Sequence, residues 1–399
     1  MNASKIKLAF LHPGLLWKLG ISNVFRIISY LLRLKLGLFK KNFPLNYERD
    51  TRFFSEPVSF SLSHIPNQNW GEKARIFDDI PLDFWANDFS WFYCPYSRKE
   101  AGNKAEYWWK TREFEEGVAD IKPLWEISRM GWVLSLAQRA RASKSESEII
   151  INQLNAKLLQ WVTANPPYIG INWKCGQEAS VRVIHLVASA LVLGQLETLN
   201  KNFCSLLEAH LERIMETTSY AKAQDNNHIV SEATALFIGG NLLLKKFSLK
   251  RYQKISSLGR KLIEYSVQRL IDQDGTFCQY STNYHRFVVD QLNLLEIIRR
   301  KLSLEKFSDK FYKRTKSAIL WLANLIEPTR GYVPNMGAND GSQILNYGDY
   351  SYLDFRPTAE LGLILFHKFS LFTRSVSAAF SRPSPTRINS ILESFSPKR

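Results

Sequence analysis

A short polar stretch carries the residue types in this chain that are best suited to acid–base chemistry. Asn226, Asn227 and His228 stand side by side, and Glu232 follows one helical turn later. Asn side chains accept hydrogen bonds from the first N–H groups of a helix, so the stretch predicts a helix start. A carboxylate one turn away could orient the imidazole. A capped, buried helix without chemistry is the alternative, and the residue types alone favour it.

A second polar cluster occurs about one repeat later in the chain. Tyr284, His285 and Arg286 stand at the start of a predicted helix, and the tyrosine follows Asn227 by 57 residues. A tyrosine hydroxyl near amides, histidine and arginine is a candidate acid or base. Its ordinary pKa of about 10 requires a cationic setting before the hydroxyl can act as a base near neutral pH. A buried tyrosine with a hydrogen-bonded hydroxyl explains the same residues equally well.

A third polar group lies on the helix that precedes these two. Glu178, Arg182 and His185 fall within one narrow stripe of an otherwise apolar helix. A buried stripe of this kind must pair its polar groups or face a water-filled cleft. The same arrangement on neighbouring helices would build one polar site at their common end. An i,i+4 ion pair between Glu178 and Arg182 is the competing interpretation.

Repeated helical hairpins are expected to position these groups. The apolar pattern predicts one helix over about 120–141, then pairs of helices joined by short loops, and a last helix over about 355–374. Helices with polar starts begin near residues 178, 228 and 284, in steps of 50 and 56 residues. Hairpins that repeat at such a period stack into a solenoid or close into a toroid. Their polar ends would then meet at one rim.

Composition and charge restrict the class of protein. The 399 residues are 45% hydrophobic and 23% charged, which is normal for a globular protein with a core. The net charge of +16 favours anionic partners. No nucleic-acid-binding signature is recognised, so no nucleic-acid partner is expected. The four cysteines form no CxxC pair, and neither a metal site nor a cofactor is predicted.

The chain ends differ from its middle. Residues 1–45 form a basic, amphipathic segment in which Arg and Lys interrupt the apolar run too often for a bilayer span. No secretory signal is evident, which favours a cytoplasmic or peripheral membrane location. Residues 15–41 could lie on a membrane surface, and packing against the rest of the protein is the favoured alternative. Residues 46–118 are irregular with a few short strands, and the Ser/Pro-rich tail 376–399 is linker-like.

Several polar motifs follow one another in a fixed order between about residues 110 and 360. They are Asp120-Ile121-Lys122, Trp125-Glu126 with Arg129, Asn172-Trp173, Gly176 with Glu178 and Arg182, Asn226-Asn227-His228, Ser231-Glu232, Asp274-Gly275-Thr276, Ser281, Tyr284-His285, Pro334–Gly341 and Asp354-Phe355-Arg356. In this order they resemble the heparinase II/III family of polysaccharide lyases. No single motif is specific, but several in register are.

The resemblance implies an all-α fold, an incomplete (α/α) toroid over residues 119–375, and β-elimination on a uronic-acid polysaccharide. In that reaction a base removes the C5 proton beside a neutralised carboxylate, and an acid protonates the leaving oxygen. By resemblance, Asn227 and His228 would neutralise the carboxylate, and Tyr284 would act as base, acid or both. Further contacts to the substrate or support for the site would come from Trp173, Glu178, Arg182, Asn226, Glu232, His285 and Arg286.

Two departures from the family pattern leave other functions open. Gln279 stands where relatives often carry Glu, and the antiparallel β-sandwich that usually follows the toroid is not expected in this chain. Without the sandwich one wall of the cleft would be open, and activity would be impaired. The alternatives are a non-catalytic protein that binds an acidic polysaccharide or assists assembly, and a toroid glycoside hydrolase. The hydrolase would need two carboxylates across a cleft, for which Glu178 and Glu232 are available.

Overall fold

The structure is a computed structural model. It describes residues 20–40, 43–44, 48, 52–60, 66–71, 74–77, 79–101, 105–112, 114–115 and 119–372. Residues 15–19 and 41 of the predicted amphipathic segment lie outside the described residues, as does the predicted tail 376–399.

Most of the described chain is helical. The α-helices are α1 (Ile21–Leu36), α2 (Lys122–Ser128), α3 (Gly131–Ala142), α4 (Ser147–Ala164), α5 (Gly176–Val192), α6 (Lys201–Gln224), α7 (Asn227–Phe247), α8 (Lys250–Leu270), α9 (Thr282–Lys301), α10 (Asp309–Leu325) and α11 (Arg356–Gly362). A 3₁₀ turn, Ile171–Trp173, precedes α5, and a π-helical turn, Leu363–His367, follows α11. The last helix is therefore shorter than the sequence pattern predicts.

The described residues of the irregular region and its border with α2 contain three short antiparallel ribbons. Their strands are β1 (Ala74–Ile76) with β2 (Ile80–Leu82), β3 (Tyr93–Cys94) with β4 (Lys99–Glu100), and β5 (Phe114–Glu115) with β6 (Ala119–Asp120). Phe84, Trp91 and Trp132 pack their rings against one another, with centroids 5.5–5.9 Å apart, and so attach this region to α3. Aromatic packing of this kind replaces regular secondary structure as the source of its stability.

The helices α3 to α11 form the two layers of an (α/α) toroid. The inner helices α3, α5, α7, α9 and α11 contact one another in that order, and the outer helices α4, α6, α8 and α10 each pack on the inner helix beside them. Every residue of α5 is buried, as expected for a helix that is covered on all sides. The predicted all-α fold of helical hairpins is confirmed.

Segment 344–347 bridges the first inner helices and the last ones. Gln138 of α3 donates a hydrogen bond to the carbonyl of Asn346 at 2.7 Å. The Tyr347 hydroxyl donates to the Asp290 carboxylate of α9, also at 2.7 Å. Burial raises the pKa of Asp290 to about 7, although its hydrogen bonds to Tyr347 and Thr358 oppose the shift. Polar contacts therefore join the two ends of the inner layer.

The sequence pattern predicts one helix over about 120–141, but the structure contains two. Met130 has a φ of 67°, in the left-handed region, and this residue separates α2 from α3. The carbonyl of Arg129 accepts a hydrogen bond from His185 Nδ1 of α5 at 2.5 Å. The break therefore fixes Arg129 at the end of α2, against the polar stripe of α5.

Helix α1 packs one of its sides against α6. Tyr30 stacks on Tyr220 with ring centroids 4.0 Å apart, and Arg33 forms an ion pair with Glu216 at 2.8 Å. This side of the amphipathic segment therefore packs against the rest of the protein. None of the helices in the described ranges is long and apolar enough to cross a bilayer.

Candidate functional site

A cleft of about 480 Å³ opens at the rim where α5, α7 and α9 begin. This volume falls in the range of roughly 300–1,000 Å³ that is typical of ligand sites. Its wall includes residues of α1, α6 and the segment after α10. The predicted site residues that line it are Glu178, Asn227, His228, Glu232 and Tyr284.

The start of α7 holds Asn227 and His228 at this rim. The Asn226 side chain accepts a hydrogen bond from the His228 N–H at 2.9 Å, which is the N-cap that the sequence predicts. The Gln279 side chain accepts from the Asn227 N–H, also at 2.9 Å. A Glu in place of Gln279 could accept the same bond, so this departure from the family pattern keeps the helix start supported. Asn226 itself acts as a cap and does not line the cleft.

Glu178 pairs with Arg129 and not with Arg182. Arg129 donates two hydrogen bonds to the Glu178 carboxylate, each of 2.8 Å, and a third of 2.5 Å to Glu126. Burial opposes ionisation of Glu178, but the arginine charge and hydrogen bonds lower its pKa overall. The i,i+4 ion pair is therefore absent because Arg129 reaches the same carboxylate with ideal bidentate geometry.

Arg182 and Trp173 lie in the packed interior behind the cleft. The guanidinium of Arg182 donates to His210 at 2.8 Å and to the Asn172 carbonyl at 2.7 Å. It lies 5.2 Å from the ring centre of Trp161 and 5.4 Å from that of Trp173. Burial lowers its pKa to about 9. Both residues thus support the turn that leads into α5.

His285 and Arg286 also point away from the cleft. His285 bonds to the Ala318 carbonyl of α10 at 2.8 Å and stacks on Trp321 with centroids 4.4 Å apart. The Arg286 guanidinium lies 4.0 Å from the ring centre of Phe355. Their side chains hold α9 against the outer layer and the start of α11. This packing fixes the start of α9, where the neighbouring residue Tyr284 lines the cleft.

Tyr284 reaches the cleft and bonds to a carboxylate that sequence reasoning did not select. Its hydroxyl donates a hydrogen bond to Asp340 Oδ2 at 2.8 Å. Burial, together with the charge of Asp340, raises the pKa of Tyr284 well above its ordinary value. Burial opposes ionisation of Asp340, but hydrogen bonds from Tyr284 and Ser342 lower its pKa overall. The resting pair is therefore a neutral tyrosine and a charged aspartate, not the cationic setting expected for a tyrosine base.

Close backbone contacts place the Asp340 loop on the start of α9. Gly337 has a φ of 71°, and a Cβ at this position would lie 2.2 Å from the Tyr280 carbonyl. The Ser281 hydroxyl donates to the Ala338 carbonyl at 2.6 Å and accepts from the Tyr284 N–H at 3.1 Å. The same serine thus caps α9 and anchors the loop. The sequence signal for this contact is the Pro334–Gly341 motif, whose partner cannot be identified from spacing.

His228 is half-buried and uncharged at neutral pH. Burial lowers its pKa to about 4, with Glu178 opposing the shift and Arg129 adding to it. A neutral imidazole offers one donor and one acceptor. The sequence analysis expected Glu232 to orient this ring, whereas the charged groups that act on it are Glu178 and Arg129.

The Glu232 side chain points instead toward the start of α5 and the C-terminal half of α6. Its side chain is 2% exposed, and a Cβ at Gly176 would lie 2.4 Å from its Oε1 atom. Burial raises the pKa of Glu232 to about 8, although Arg213 and Thr218 oppose the shift. Its Oε2 atom has no hydrogen-bond partner among the described residues. The cleft therefore contains a neutral carboxyl group at pH 7.

The lining of the cleft carries a small excess of positive charge, because Glu232 is neutral, and is rich in aromatic rings. Four basic and four acidic side chains of the described residues line it: Lys122, Arg129, Lys174, Arg213, Asp120, Glu178, Glu232 and Asp340. The aromatic side chains are Tyr30, Trp108, Trp109, Trp125, Tyr220, Tyr284 and Phe287. The sequence pattern does not reveal that Trp108 and Trp109 reach the rim, because nothing in the residue order brings them there.

Several solved structures are similar to this chain. The chain is similar to the solved heparan sulfate lyase HepC from Pedobacter heparinus at 17% identity, with a TM-score of 0.42, over 66% of this chain and 38% of that one. It is similar to a heparinase III at 15% identity, with a TM-score of 0.47, over 83% and 48%. A heparinase III gene product with methylated lysines matches at 14% identity, with a TM-score of 0.46, over 73% and 47%.

The chain spans less than half the length of each of these structures. No curated protein matches it. The heparinase II/III N-terminus family matches residues 62–353, which include every residue that the cleft takes from α2 to the loop after α10. This match covers well over half of the chain, and the protein therefore belongs to the heparinase II/III family through its N-terminal domain.

Proposed function

We propose that this protein is a polysaccharide lyase that cleaves a uronic-acid-containing polymer by β-elimination in the cleft. The observation that carries the proposal is the hydrogen bond of 2.8 Å between Tyr284 and Asp340, at the same rim as Asn227 and His228. Family membership supports the reaction class. The substrate and the residue roles rest on the chemistry of the site.

The substrate carboxylate would bind at the start of α7. Asn227 offers an amide donor there, and the neutral His228 ring offers one N–H. The 21-residue helix α7 adds the partial positive charge of its N-terminus. Hydrogen bonds to the carboxylate stabilise the negative charge that develops when the C5 proton leaves.

Tyr284 would move the protons with Asp340 as its partner. Its oxygen takes the C5 proton while its own proton passes to Asp340. The electron pair of the C5–H bond forms the C4–C5 double bond, and the C4–O4 bond breaks. Tyr284 then gives its proton to the departing O4 and recovers one from Asp340, so both groups return to their resting states. A bound uronate raises the proton affinity of Asp340, because a nearby negative charge raises the pKa of a carboxylate.

The charge of the cleft favours a polymer that carries carboxylates without dense sulfation. Each arginine of the wall is already committed: Arg129 to Glu178 and Glu126, and Arg213 to the carbonyls of Trp173 and Lys174. Sulfate-rich chains require several available cations to offset their charge. The aromatic side chains of the wall can instead pack on sugar rings.

The two alternative functions receive less support. A hydrolase needs one ionised carboxylate and one acid that both face the substrate. Glu178 has both its oxygens bound by Arg129, and Glu232 is 2% exposed. Binding without catalysis uses the same cleft, and the experiment below separates it from lyase activity.

The test is to incubate the purified protein with unsulfated uronate polymers and with heparan sulfate. The C4–C5 double bond of the product conjugates with the carboxylate and absorbs in the ultraviolet, whereas hydrolysis creates no such chromophore. We expect absorbance to rise on an unsulfated polymer and to be lost in Tyr284→Phe and Asp340→Asn. Tyr280→Phe is the matched control, since Tyr280 is 72% exposed and does not line the cleft.

Two results would reject the proposal. Binding of the polymer without any unsaturated product indicates a non-catalytic protein. Full activity in Tyr284→Phe shows that another group moves the proton. A variant that fails to bind the polymer should first be compared with the wild type by circular dichroism, so that loss of fold is separated from loss of chemistry.

A further inference from the structure

Helix α1 has a second apolar side whose large side chains are exposed in the described part of the chain. Five large apolar side chains of this helix are exposed: Ile21 (88%), Phe25 (70%), Ile28 (37%), Leu32 (53%) and Leu36 (64%). At about 100° per residue they fall within a stripe roughly 80° wide. Tyr30, which packs on α6, lies on the opposite side of the helix. The stripe is therefore continuous, outward-facing and separate from the packing side.

The sequence around this stripe is basic throughout. No Asp or Glu occurs before Glu48, whereas residues 1–47 contain eight Lys and Arg residues. Lys35 is exposed next to the stripe. Arg33 and Lys40 bind the glutamates of α6, which lie on the packing side of the helix. The region as a whole is complementary to an anionic surface.

We propose that α1 lies flat on an anionic lipid surface through the stripe Ile21, Phe25, Ile28, Leu32 and Leu36. Large apolar side chains on one side of a helix and cationic side chains beside them are the features of helices that bind at the bilayer interface. A second copy of this chain fits the stripe less well, because pairing two such faces would bring two basic segments together. Charge complementarity thus selects lipid over self-association.

The location of α1 gives this surface a functional consequence. Residues on the other sides of the helix, Ile27, Tyr30, Leu31 and Leu34, line the cleft. A helix with its side chains is roughly 10 Å thick. Docking of α1 would therefore hold the mouth of the cleft about one helix thickness from the headgroups, where a polymer attached to or emerging from the membrane would pass.

Co-sedimentation with vesicles of defined lipid composition tests the proposal. We expect the full chain to pellet with vesicles of phosphatidylcholine and phosphatidylglycerol, and to pellet less with phosphatidylcholine alone. Phe25→Ser combined with Leu32→Ser should weaken binding about 100-fold. Each substitution removes an apolar side chain from the lipid and should weaken binding about 10-fold, or about 1.4 kcal/mol. Lys35→Gln should weaken binding to the anionic vesicles by about 5-fold.

The matched control is Phe247→Ser combined with Leu249→Ser. These residues have the same side chains as the test pair and are 42% and 44% exposed, but Phe247 is the last residue of α7 and Leu249 immediately precedes α8, far from α1 in the sequence. We expect the control to bind vesicles like the wild type. The proposal is overturned if the wild type does not pellet, if both double variants bind equally, or if light scattering shows a dimer that Phe25→Ser/Leu32→Ser dissociates. Circular dichroism of each variant separates misfolding from loss of binding.

Discussion

Replacement of Glu232 by glutamine should stabilise the protein at neutral pH. The carboxyl group is 2% exposed, and burial raises its pKa to about 8 from an ordinary value of 4.5. At pH 7 the folded chain therefore keeps a proton on Glu232 that the unfolded chain releases. Glutamine is neutral in both states and of nearly the same shape, so Glu232→Gln removes the cost of taking up that proton.

The size of the effect follows from the pKa difference. One pKa unit corresponds to about 1.4 kcal/mol, so the cost at pH 7 is about 3 kcal/mol and rises to about 5 kcal/mol above pH 8. Because the folded-state pKa is the higher one, the wild type loses stability as pH rises from 4.5 to about 8. For a chain of this length 3 kcal/mol corresponds to an increase in Tm of about 4 °C.

Urea unfolding of both proteins between about pH 5 and pH 9 measures this difference. We expect the two stabilities to be similar at pH 5 and to separate progressively up to pH 8. Glu305→Gln is the control, since Glu305 is an exposed glutamate in the loop between α9 and α10. If Glu232→Gln is destabilised by the same amount at every pH, the carboxylate is ionised and well paired with Arg213, and the reasoning is refuted.

Three further predictions concern the supports of the site. Arg129→Ala should lower the free energy of unfolding by about 3–5 kcal/mol, because it leaves the buried Glu178 carboxylate unpaired; urea unfolding measures the loss. Tyr347→Phe should cost about 1–2 kcal/mol in the same assay, because the hydroxyl satisfies the buried Asp290. Gln279→Glu should keep stability within about 0.5 kcal/mol, because its oxygen accepts the same bond from the start of α7 and a negative charge is favourable there.

Each of these predictions has an internal control. Glu178→Gln added to Arg129→Ala should recover part of the lost stability, and a strictly additive double variant would contradict the buried-charge explanation. Tyr332→Phe removes a hydroxyl from a 44% exposed tyrosine and should have little effect on stability. Gln279→Ala removes the acceptor altogether; a cost below that of Gln279→Glu would show that the acceptor does not support α7.

The helical part of the fold could be predicted well from the sequence. The polar helix starts predicted near residues 178, 228 and 284 agree with the starts of α5, α7 and α9 to within two residues, because a 3.6-residue apolar period and polar helix starts are local signals. The resemblance to the heparinase II/III family is confirmed over residues 62–353. The Asn226 cap follows directly from the preference of amide side chains for that position.

Long-range partners could not be predicted in the same way. Glu178 has Arg182 one turn away in sequence, but its partner is Arg129, from which it is separated by 49 positions. The turn at Met130 that delivers this arginine uses a left-handed conformation that a non-glycine residue gives no sign of adopting. Asp340 lies in a segment without periodicity, so its contact with Tyr284 depends entirely on tertiary packing. The roles proposed for the individual site residues stay predictions.

The separation of the groups around Asp340 along the chain has a consequence for when the candidate site is assembled during synthesis. Arg129, at the end of α2, bonds to Ser342 at 3.2 Å, across 213 positions of sequence, and Ser342 lies two positions after Asp340, the partner of Tyr284. The hairpins α3 to α10 can pack as each leaves the ribosome, since they use local contacts. A nascent chain would already be largely helical, and would form the hydrogen bond between Tyr284 and Asp340 only when the segment around residue 340 emerges and closes over the rim.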